Sequence, residues 1–107
     1  MSASAKPLSQ NPLFSLGNVN ISRGVLLTVP PPARQTALAR HAHGDWGESG
    51  EDLCRANAAA LRTEGCVRSV YHSADGVMFW IVTLLANEET LIALPEDFLD
   101  HHRTSAG

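Results

Sequence analysis

The stretch VRSVYHSADGVMFWIVTLLA, residues 67–86, decides the fold of this chain. Val67 to Ser73 alternates between apolar and polar residues, which is typical of a half-buried strand. Asp75-Gly76 is a strong hairpin signal, because glycine tolerates the positive φ of a tight turn. Val77 to Ala86 is almost entirely apolar and rich in β-forming residues. We therefore predict a central strand that is covered on both faces.

A third strand follows this hairpin. Asn87-Glu88-Glu89 predicts a turn, Thr90 to Leu94 predicts a strand, and Pro95 ends that strand at a sheet edge. Residues 95–99 predict one helical turn that folds Phe98 back onto the core. Because an open edge can pair with another strand, we expect either a monomer or an edge-paired homodimer.

Two helices precede the strands. Ala33 to His43 reads as a helix, and Gly44 stands where a left-handed cap is favoured. The second helix is predicted to have Ser49 as its N-cap and acids in its first turn, where the helix dipole favours them. It runs to Thr63 or Glu64, and Gly65 stops it.

The segment before the helices is less regular. Phe14 to Ile21 alternates in part, which predicts a short strand or extended segment and a possible fourth strand. Ser22 either caps a short helix through Leu27, or Gly24 to Val29 forms a strand. The predicted fold class is α+β, with two helices packed on a three- to four-stranded antiparallel meander sheet. We expect one domain over residues 13–99, with mobile tails at 1–12 and 100–107.

Composition sets limits on function. The chain has 107 residues, 44% of them hydrophobic and 18% charged, which indicates a single globular domain. The net charge of -3 lacks the basic footprint of a nucleic-acid-binding protein, so we do not expect nucleic acid as a partner. No apolar run is long enough to span a bilayer, and the start lacks the apolar region of a signal peptide. We expect a cytoplasmic protein with no membrane partner.

The segment Gly44-Asp45-Trp46-Gly47 is the most informative motif. Two glycines so close together predict a sharp turn. In a structural interpretation, Asp45 caps backbone N–H groups and Trp46 closes one end of the core. In a functional interpretation, a loop tryptophan is a hot spot for a partner protein. We predict a protein-binding surface at His43, Asp45, Trp46 and Glu48, and a structural motif at Gly44, Gly47 and Asn57.

Asn57 enters that motif through its position on the second helix. It shares a stripe with Leu53 and Leu61, so it faces the core and needs hydrogen-bond partners. We predict that its amide bonds the Gly44–Gly47 turn.

The sequence contains no catalytic, metal or cofactor motif of known mechanism. The histidines and cysteines lack ligand spacing, so we predict no metal and no cofactor. One alternative is a small nuclease or toxin-like enzyme that uses His41 or His43 with Asp45. Another is a nucleic-acid-binding module, and its contact residues are Arg34, Arg40, Arg55, Arg62 and Arg68.

The chain resembles a family of small bacterial proteins that are commonly encoded on plasmids and integrated conjugative elements. The resemblance covers residues 16–98. It rests on Arg40-His41-Ala42-His43-Gly44-Asp45-Trp46-Gly47, Glu51-Asp52, Asn57, Ala60-Leu61, Ser69-Val70-Tyr71, Gly76, Trp80-Ile81-Val82-Thr83, Thr90 and Leu94-Pro95-Glu96. Pro30-Pro31-Pro32 and Ser49-Gly50 differ from the family pattern. The resemblance implies an accessory protein of a mobile genetic element. Because the sequence contains no catalytic motif, we expect this protein to be non-enzymatic and to act by binding an unknown protein partner.

Overall fold

The computed structural model describes residues 12–97. The strands are β1 (Asn18–Ile21), β2 (Cys66–His72), β3 (Met78–Leu84) and β4 (Glu89–Ala93). The helices are α1 (Arg23–Thr28), α2 (Pro31–Ala42), α3 (Glu51–Thr63) and the 3-10 helix Leu85–Asn87, and residues 95–97 begin a further helical turn. None of the described helices is long and apolar enough to cross a membrane. Apart from Pro12, the predicted tails lie outside the described residues, as do Phe98 and Leu99.

The four strands form one mixed sheet in the order β1-β4-β3-β2. Strands β2, β3 and β4 make the predicted antiparallel meander, and Gly76 has the positive φ (85°) that the hairpin needs. The α+β class is therefore confirmed. The purely antiparallel sheet is wrong, because β1 runs parallel to β4. The meander leaves the second side of β4 unpaired, and β1 fills it with bonds such as Ser22 N–H to the Ile92 carbonyl (2.9 Å).

The position of β1 also corrects the predicted sheet edge. Strand β4 lies between β3 and β1, so Thr90 to Leu94 is an interior strand. The edges of the described sheet are β1 and β2. An edge-paired homodimer through residues 90–94 is therefore not available to this fold.

The two faces of the sheet differ. Helices α1 and α2 pack on one of them, which we call the covered face. Its core consists of Val25, Val29, Ala37, Tyr71, Phe79, Ile81, Ile92 and Leu94. The opposite face, which we call the open face, is mostly half buried or exposed. Its larger apolar members are Val70, Met78, Trp80, Val82, Leu84 and Leu91, and the small Ala93 is buried beside Trp80. The prediction that β3 is covered on both faces is wrong, because Met78 and Leu84 on this second face are each 41% exposed. Of the described helices, α3 reaches the margin of this face through Leu53.

Helix α1 settles the two alternatives for residues 22–29. Ser22 is its N-cap, since its hydroxyl accepts a hydrogen bond from the Val25 N–H (3.2 Å). The same hydroxyl donates to the Asp97 carboxylate (2.6 Å), which also accepts from the Leu94 N–H (2.9 Å). Asp97 thus ties the end of β4 to the start of α1.

Helix α3 lies beside β2, and both of its ends differ in detail from the prediction. Gly50 is the N-cap, because the Ser49 hydroxyl instead donates to the Trp46 carbonyl (2.7 Å). At the other end Glu64, rather than Gly65, adopts the left-handed conformation, with φ of 59°. This conformation brings a Cβ close to backbone oxygen and costs about 1–2 kcal/mol.

The left-handed Glu64 gives a stability prediction. Replacing it with glycine removes the Cβ strain, and we expect the free energy of unfolding to rise by about 0.5–1 kcal/mol after the greater entropy of unfolded glycine is subtracted. Urea unfolding measures this change. The matched control is Ala59→Gly in the exposed middle of α3, which should lose about 1 kcal/mol. Equal losses in the two variants would show that the strain at Glu64 is absent.

Candidate functional site

The loop that follows α2 is fixed first by the way the helix ends. Gly44 has φ of 86°, and its N–H donates to the His41 carbonyl (3.1 Å). The Asp45 N–H donates to the Arg40 carbonyl (2.9 Å). These two bonds form a Schellman motif, in which glycine takes the left-handed position. The predicted role of Gly44 as the helix cap is confirmed.

The same loop then pairs with the outer edge of β2. The Val70 N–H donates to the Trp46 carbonyl (3.1 Å), and the Glu48 N–H donates to the Val70 carbonyl (2.8 Å). At the neighbouring outward-facing residue, the Arg68 N–H donates to the Asn57 side-chain oxygen (3.0 Å) and the Asn57 amide donates to the Arg68 carbonyl (2.8 Å). The loop and one side chain therefore occupy backbone groups that would otherwise invite another strand to pair.

Asn57 is buried and hydrogen-bonded, as its position on the helix stripe requires. Its partner differs from the prediction, because its amide bonds the backbone of Arg68 and not the Gly44–Gly47 turn. Helix α3 runs beside β2, so its core-facing stripe meets the strand. Asn57 and the turn act on neighbouring residues of the same edge.

Gly47 is required by the closeness of this pairing. Its φ is 70°, and it forms a parallel bridge with Val70. A Cβ at this position would overlap the Val70 carbonyl oxygen and approach the Tyr71 ring to 2.7 Å. Only glycine lets the loop backbone lie so near to the strand.

Asp45 turns inward onto its own loop. Its carboxylate accepts two bonds from Arg40, at 2.8 and 3.2 Å, and a third from the Gly47 N–H (3.2 Å). The bond from Arg40 is the main reason that the pKa of Asp45 lies below its usual value. The Tyr71 hydroxyl donates to the Asp45 carbonyl (2.6 Å), and the Arg40 guanidinium lies 4.9 Å from the Tyr71 ring centre. Because the Arg40–Asp45 pair is about half exposed, it orients the loop more than it stabilises the fold.

Trp46 is half-buried and covers the ring of His41. Its ring meets His41 edge-on at 5.6 Å between centroids and stacks on Phe14 at 6.3 Å. Phe14 also meets His41 edge-on, at 5.2 Å. Trp46 is thus neither a core residue nor a free side chain. Together with Phe14 it closes the core over a buried imidazole.

His41 belongs to a chain of buried polar side chains that the sequence did not reveal. Its Nδ1 bonds the Ser69 hydroxyl, and its Nε2 bonds the Thr83 hydroxyl (2.9 Å). Thr83 bonds Thr90 (2.7 Å), and the Thr90 hydroxyl donates to the Leu16 carbonyl (2.7 Å). These four side chains are almost fully buried. The period of α2 could have placed His41 on the core face, but nothing local identified its partners.

The terminal carbonyl fixes the direction of every bond in this chain. A hydroxyl has a single proton, so Thr90, which donates to Leu16, must accept from Thr83. Thr83 must then accept from His41, which places the imidazole proton on Nε2. Burial lowers the pKa of His41 to about 4, so the ring is neutral near pH 7 and its Nδ1 accepts from Ser69.

Ser69 and His41 together have the arrangement of a hydroxyl next to a base. Both side chains are 0% exposed, so a substrate cannot reach the hydroxyl. The pair is a satisfied polar network inside the core, where each donor and acceptor has a partner.

The residues of the predicted enzyme site have separate partners. His41 points at Ser69 and Thr83, the Nδ1 of His43 bonds the Ala39 carbonyl (2.8 Å), and Asp45 bonds Arg40. The Glu48 carboxylate lies 2.9 Å from the Nδ1 of His72. Of the four predicted binding residues, Asp45 and Glu48 are exposed, while His43 and Trp46 are half-buried.

The five arginines of the predicted nucleic-acid site also have different surroundings. Arg40 pairs with Asp45, and Arg55 pairs with Glu51 and Asp52. Arg68 lies on the open face with its guanidinium 4.6 Å from the ring centre of Trp80. Two of the five charges are therefore neutralised locally by acids, which weakens any basic surface.

The open face carries an accessible apolar row that the sequence did not predict. Met78, Trp80, Val82 and Leu84 form a row along β3, and the first and last are each 41% exposed. Two depressions of about 460 and 340 Å³ lie on either side of Val82. The first is lined by Leu53, Cys66, Arg68 and Trp80, and the second by Asn20, Leu84, Glu89, Thr90 and Leu91.

Within residues 12–97, no group of three or more histidine, cysteine, aspartate or glutamate side chains is placed to hold a metal ion. Comparison of the chain with protein-family models, curated proteins and solved structures gives no significant match. Any account of function therefore depends on the geometry of this molecule and on the resemblance described above.

The contact between Gly47 and Val70 gives a second stability prediction. We expect Gly47→Ala to lower the free energy of unfolding by more than about 3 kcal/mol, because left-handed strain and overlap with the Val70 carbonyl add together. Gly76→Ala is the matched control: its φ is 85°, but nothing lies within 4 Å of its Cβ position. It should lose about 1–2 kcal/mol in the same urea titration. Similar losses in both variants would rule out the close pairing of loop and strand.

The burial of His41 gives a pH prediction. Its folded pKa of about 4 lies below the ordinary value of 6.5, so between these pH values the unfolded chain binds a proton that the folded chain does not. Stability should therefore fall as the pH drops from about 6.5 to about 4, by up to roughly 3 kcal/mol. Urea unfolding at several pH values measures the slope.

Two variants assign that slope to a residue. His41→Leu should flatten the slope, although it also lowers stability, because the Ser69 hydroxyl loses its acceptor and the Thr83 hydroxyl loses its donor. His72→Asn, at an exposed histidine, should leave most of the slope in place. A steep slope that survives in His41→Leu would contradict the assignment to His41.

Proposed function

We propose that this protein is a non-enzymatic accessory protein of a bacterial mobile element, working in the cytoplasm by binding another protein through its open face. The observation that carries the binding role is the row of four apolar side chains along β3, whose two end members are each 41% exposed and which α3 borders at one margin through Leu53. The mobile-element and cytoplasmic parts rest on the resemblance and on the sequence expectations.

The chemistry of the open face supports protein binding. Contiguous exposed apolar surface on a small protein marks interaction sites more often than scattered apolar residues do. Trp80 with Arg68 stacked on it combines two of the residue types most common in interface hot spots. The two depressions beside Val82 are shallow enough to accept partner side chains.

The predicted binding loop adjoins this face. Glu48 reaches His72, and His72 pairs in register with Met78 at the end of the apolar row. The exposed part of the loop is thus one boundary of the open face. His43, Asp45 and Trp46 fix the loop against α2 and the core, so in this proposal Glu48 is the loop residue nearest to the partner.

Catalysis is less well supported by the same geometry. The His41–Ser69 pair is sealed inside the core, and His41, His43 and Asp45 each bond other groups. A general base must come within hydrogen-bond reach of a substrate proton. None of the three depressions described on the surface is lined by these residues.

The test compares two matched charge insertions. Leu84→Glu introduces a carboxylate on the open face, and Leu27→Glu does the same at a 74% exposed position on α1, on the other side of the sheet. Both should fold, because both positions are already exposed. In affinity capture from host cells, we expect Leu84→Glu to lose at least about 90% of a partner that wild type retains, since a buried unpaired charge is costly. Leu27→Glu should keep it.

Trp46→Ala extends the experiment to the loop. If the loop is the binding surface, this variant loses the partner while Leu84→Glu retains it, and the proposed open-face site is wrong. Thermal unfolding of each variant separates loss of binding from loss of fold. Capture that is equal for wild type, Leu84→Glu and Leu27→Glu would also exclude the open face.

A further inference from the structure

We infer that the partner seated on the open face is a second copy of this chain, packed face to face about a two-fold axis that runs along β3. This inference rests on the proposed function in one respect: both use the open face as a protein-binding surface. It goes beyond it by naming the partner, the symmetry and the charged residues that meet.

The first observation is a pair of opposite charges on the two sides of the apolar row. Arg68 lies on β2, Glu89 lies on β4, and β3 runs between these strands. Both residues line depressions of the open face. In residues 12–97 neither takes part in an ion pair, whereas Arg40 and Arg55 each do. The Nε of Arg68 is buried and has no hydrogen-bond partner.

The strand register shows which residues face each other when two copies are related by a two-fold axis. Arg68 is level with Val82 and Leu91, and Glu89 is level with Leu84. A two-fold axis parallel to β3 places β2 of one copy over β4 of the other. Arg68 then lies over Leu91 of the second copy, and Glu89 of that copy is the next residue along the same face, about 7 Å away. To reach it, the Arg68 guanidinium leaves the ring of Trp80, on which it lies in the single chain. An extended arginine side chain covers that distance, and the symmetry makes the contact twice.

The other two-fold arrangement is disfavoured by the same charges. An axis perpendicular to the strands places β2 over β2, and where it crosses β2 near the middle of the strand, Arg68 of one copy lies near Arg68 of the other. Like charges facing each other across an interface with low solvent content repel. The charge pattern therefore selects the axis along β3, and sheets packed in this way lie about 10 Å apart with strands within about 30°.

Pairing through the sheet edges is less suitable. The backbone groups of Arg68 and Val70 on the outer edge of β2 are already bonded by Asn57 and the Trp46–Glu48 loop. Strand β4 is interior, and β1 has only 4 residues. The open face is the larger self-complementary surface.

The size of the face sets the expected affinity. Four strands about 4.8 Å apart and about 3.3 Å per residue over seven residues give a footprint of roughly 19 by 23 Å. This footprint is small beside the about 800 Å² per partner of a standard interface. We therefore expect a dissociation constant in the micromolar range.

The experiment is sedimentation equilibrium of the full chain up to about 1 mM, which covers weak affinities. Wild type should be a dimer at the highest concentration. Arg68→Glu and Glu89→Arg should each weaken association by at least about tenfold, because each places like charges together. The double variant Arg68→Glu with Glu89→Arg should restore association to within about threefold of wild type. Arg62→Glu, at an exposed position on α3, is the matched control and should have no effect.

Each outcome decides the inference. A wild type that remains monomeric overturns it, and so do single variants that dimerise like wild type or a double variant that is not rescued. Thermal unfolding checks that every variant is folded; if Arg68→Glu fails to fold, Glu89→Arg and the double variant still decide the result. A monomeric wild type whose capture of a host protein depends on Leu84 would sink the dimer and leave the proposed function standing. A wild type that dimerises but captures no host protein would support the dimer and overturn the proposed host partner.

Discussion

The outward-facing backbone of β2 is the constraint on which the rest of this structure depends. Arg68 and Val70 present N–H and C=O groups at a sheet edge, and each of these groups needs a partner. Asn57 supplies one pair of bonds and the loop from Trp46 to Glu48 supplies the other. Gly47 allows the loop to come close enough, and Gly44 turns it toward the strand. The Gly44-Asp45-Trp46-Gly47 motif therefore serves to hydrogen-bond the outer edge of β2.

Much of the fold could be predicted because its signals are local. The Asp75-Gly76 hairpin, the caps at Ser22 and Gly44, and the periodicity of α2 and α3 depend on residues close together in the chain. The inward turn of Asp45 onto Gly47 was also predictable, because the bond spans two residues. These features fix the α+β class and three of the four strands.

The remaining features depend on contacts between distant residues. The direction of β1 is set by the free side of β4, about 70 residues later in the sequence. An apolar run such as Met78 to Leu84 predicts a central strand, but it does not reveal whether a second layer covers its far face. Asn57 on a core stripe needs partners, but only the packing of α3 beside β2 shows that they belong to Arg68. The candidate site could therefore be predicted only in part. Glu48 borders the open face, but the face itself exists because the helices pack mainly elsewhere, and the sequence does not show this.

The hydrogen-bond chain from His41 to Leu16 links the tautomer of the His41 ring to the backbone before β1. The Leu16 carbonyl can only accept a hydrogen bond, so it fixes which hydroxyl donates at each step of the chain. The last hydrogen bond that it fixes in this way is the one from the His41 ring to Thr83. If the segment before β1 lifts away, Thr90 and Thr83 are free to rotate, and the imidazole proton can move to the other nitrogen. The nitrogen-15 chemical shifts of the His41 ring then report whether the segment before β1 is docked.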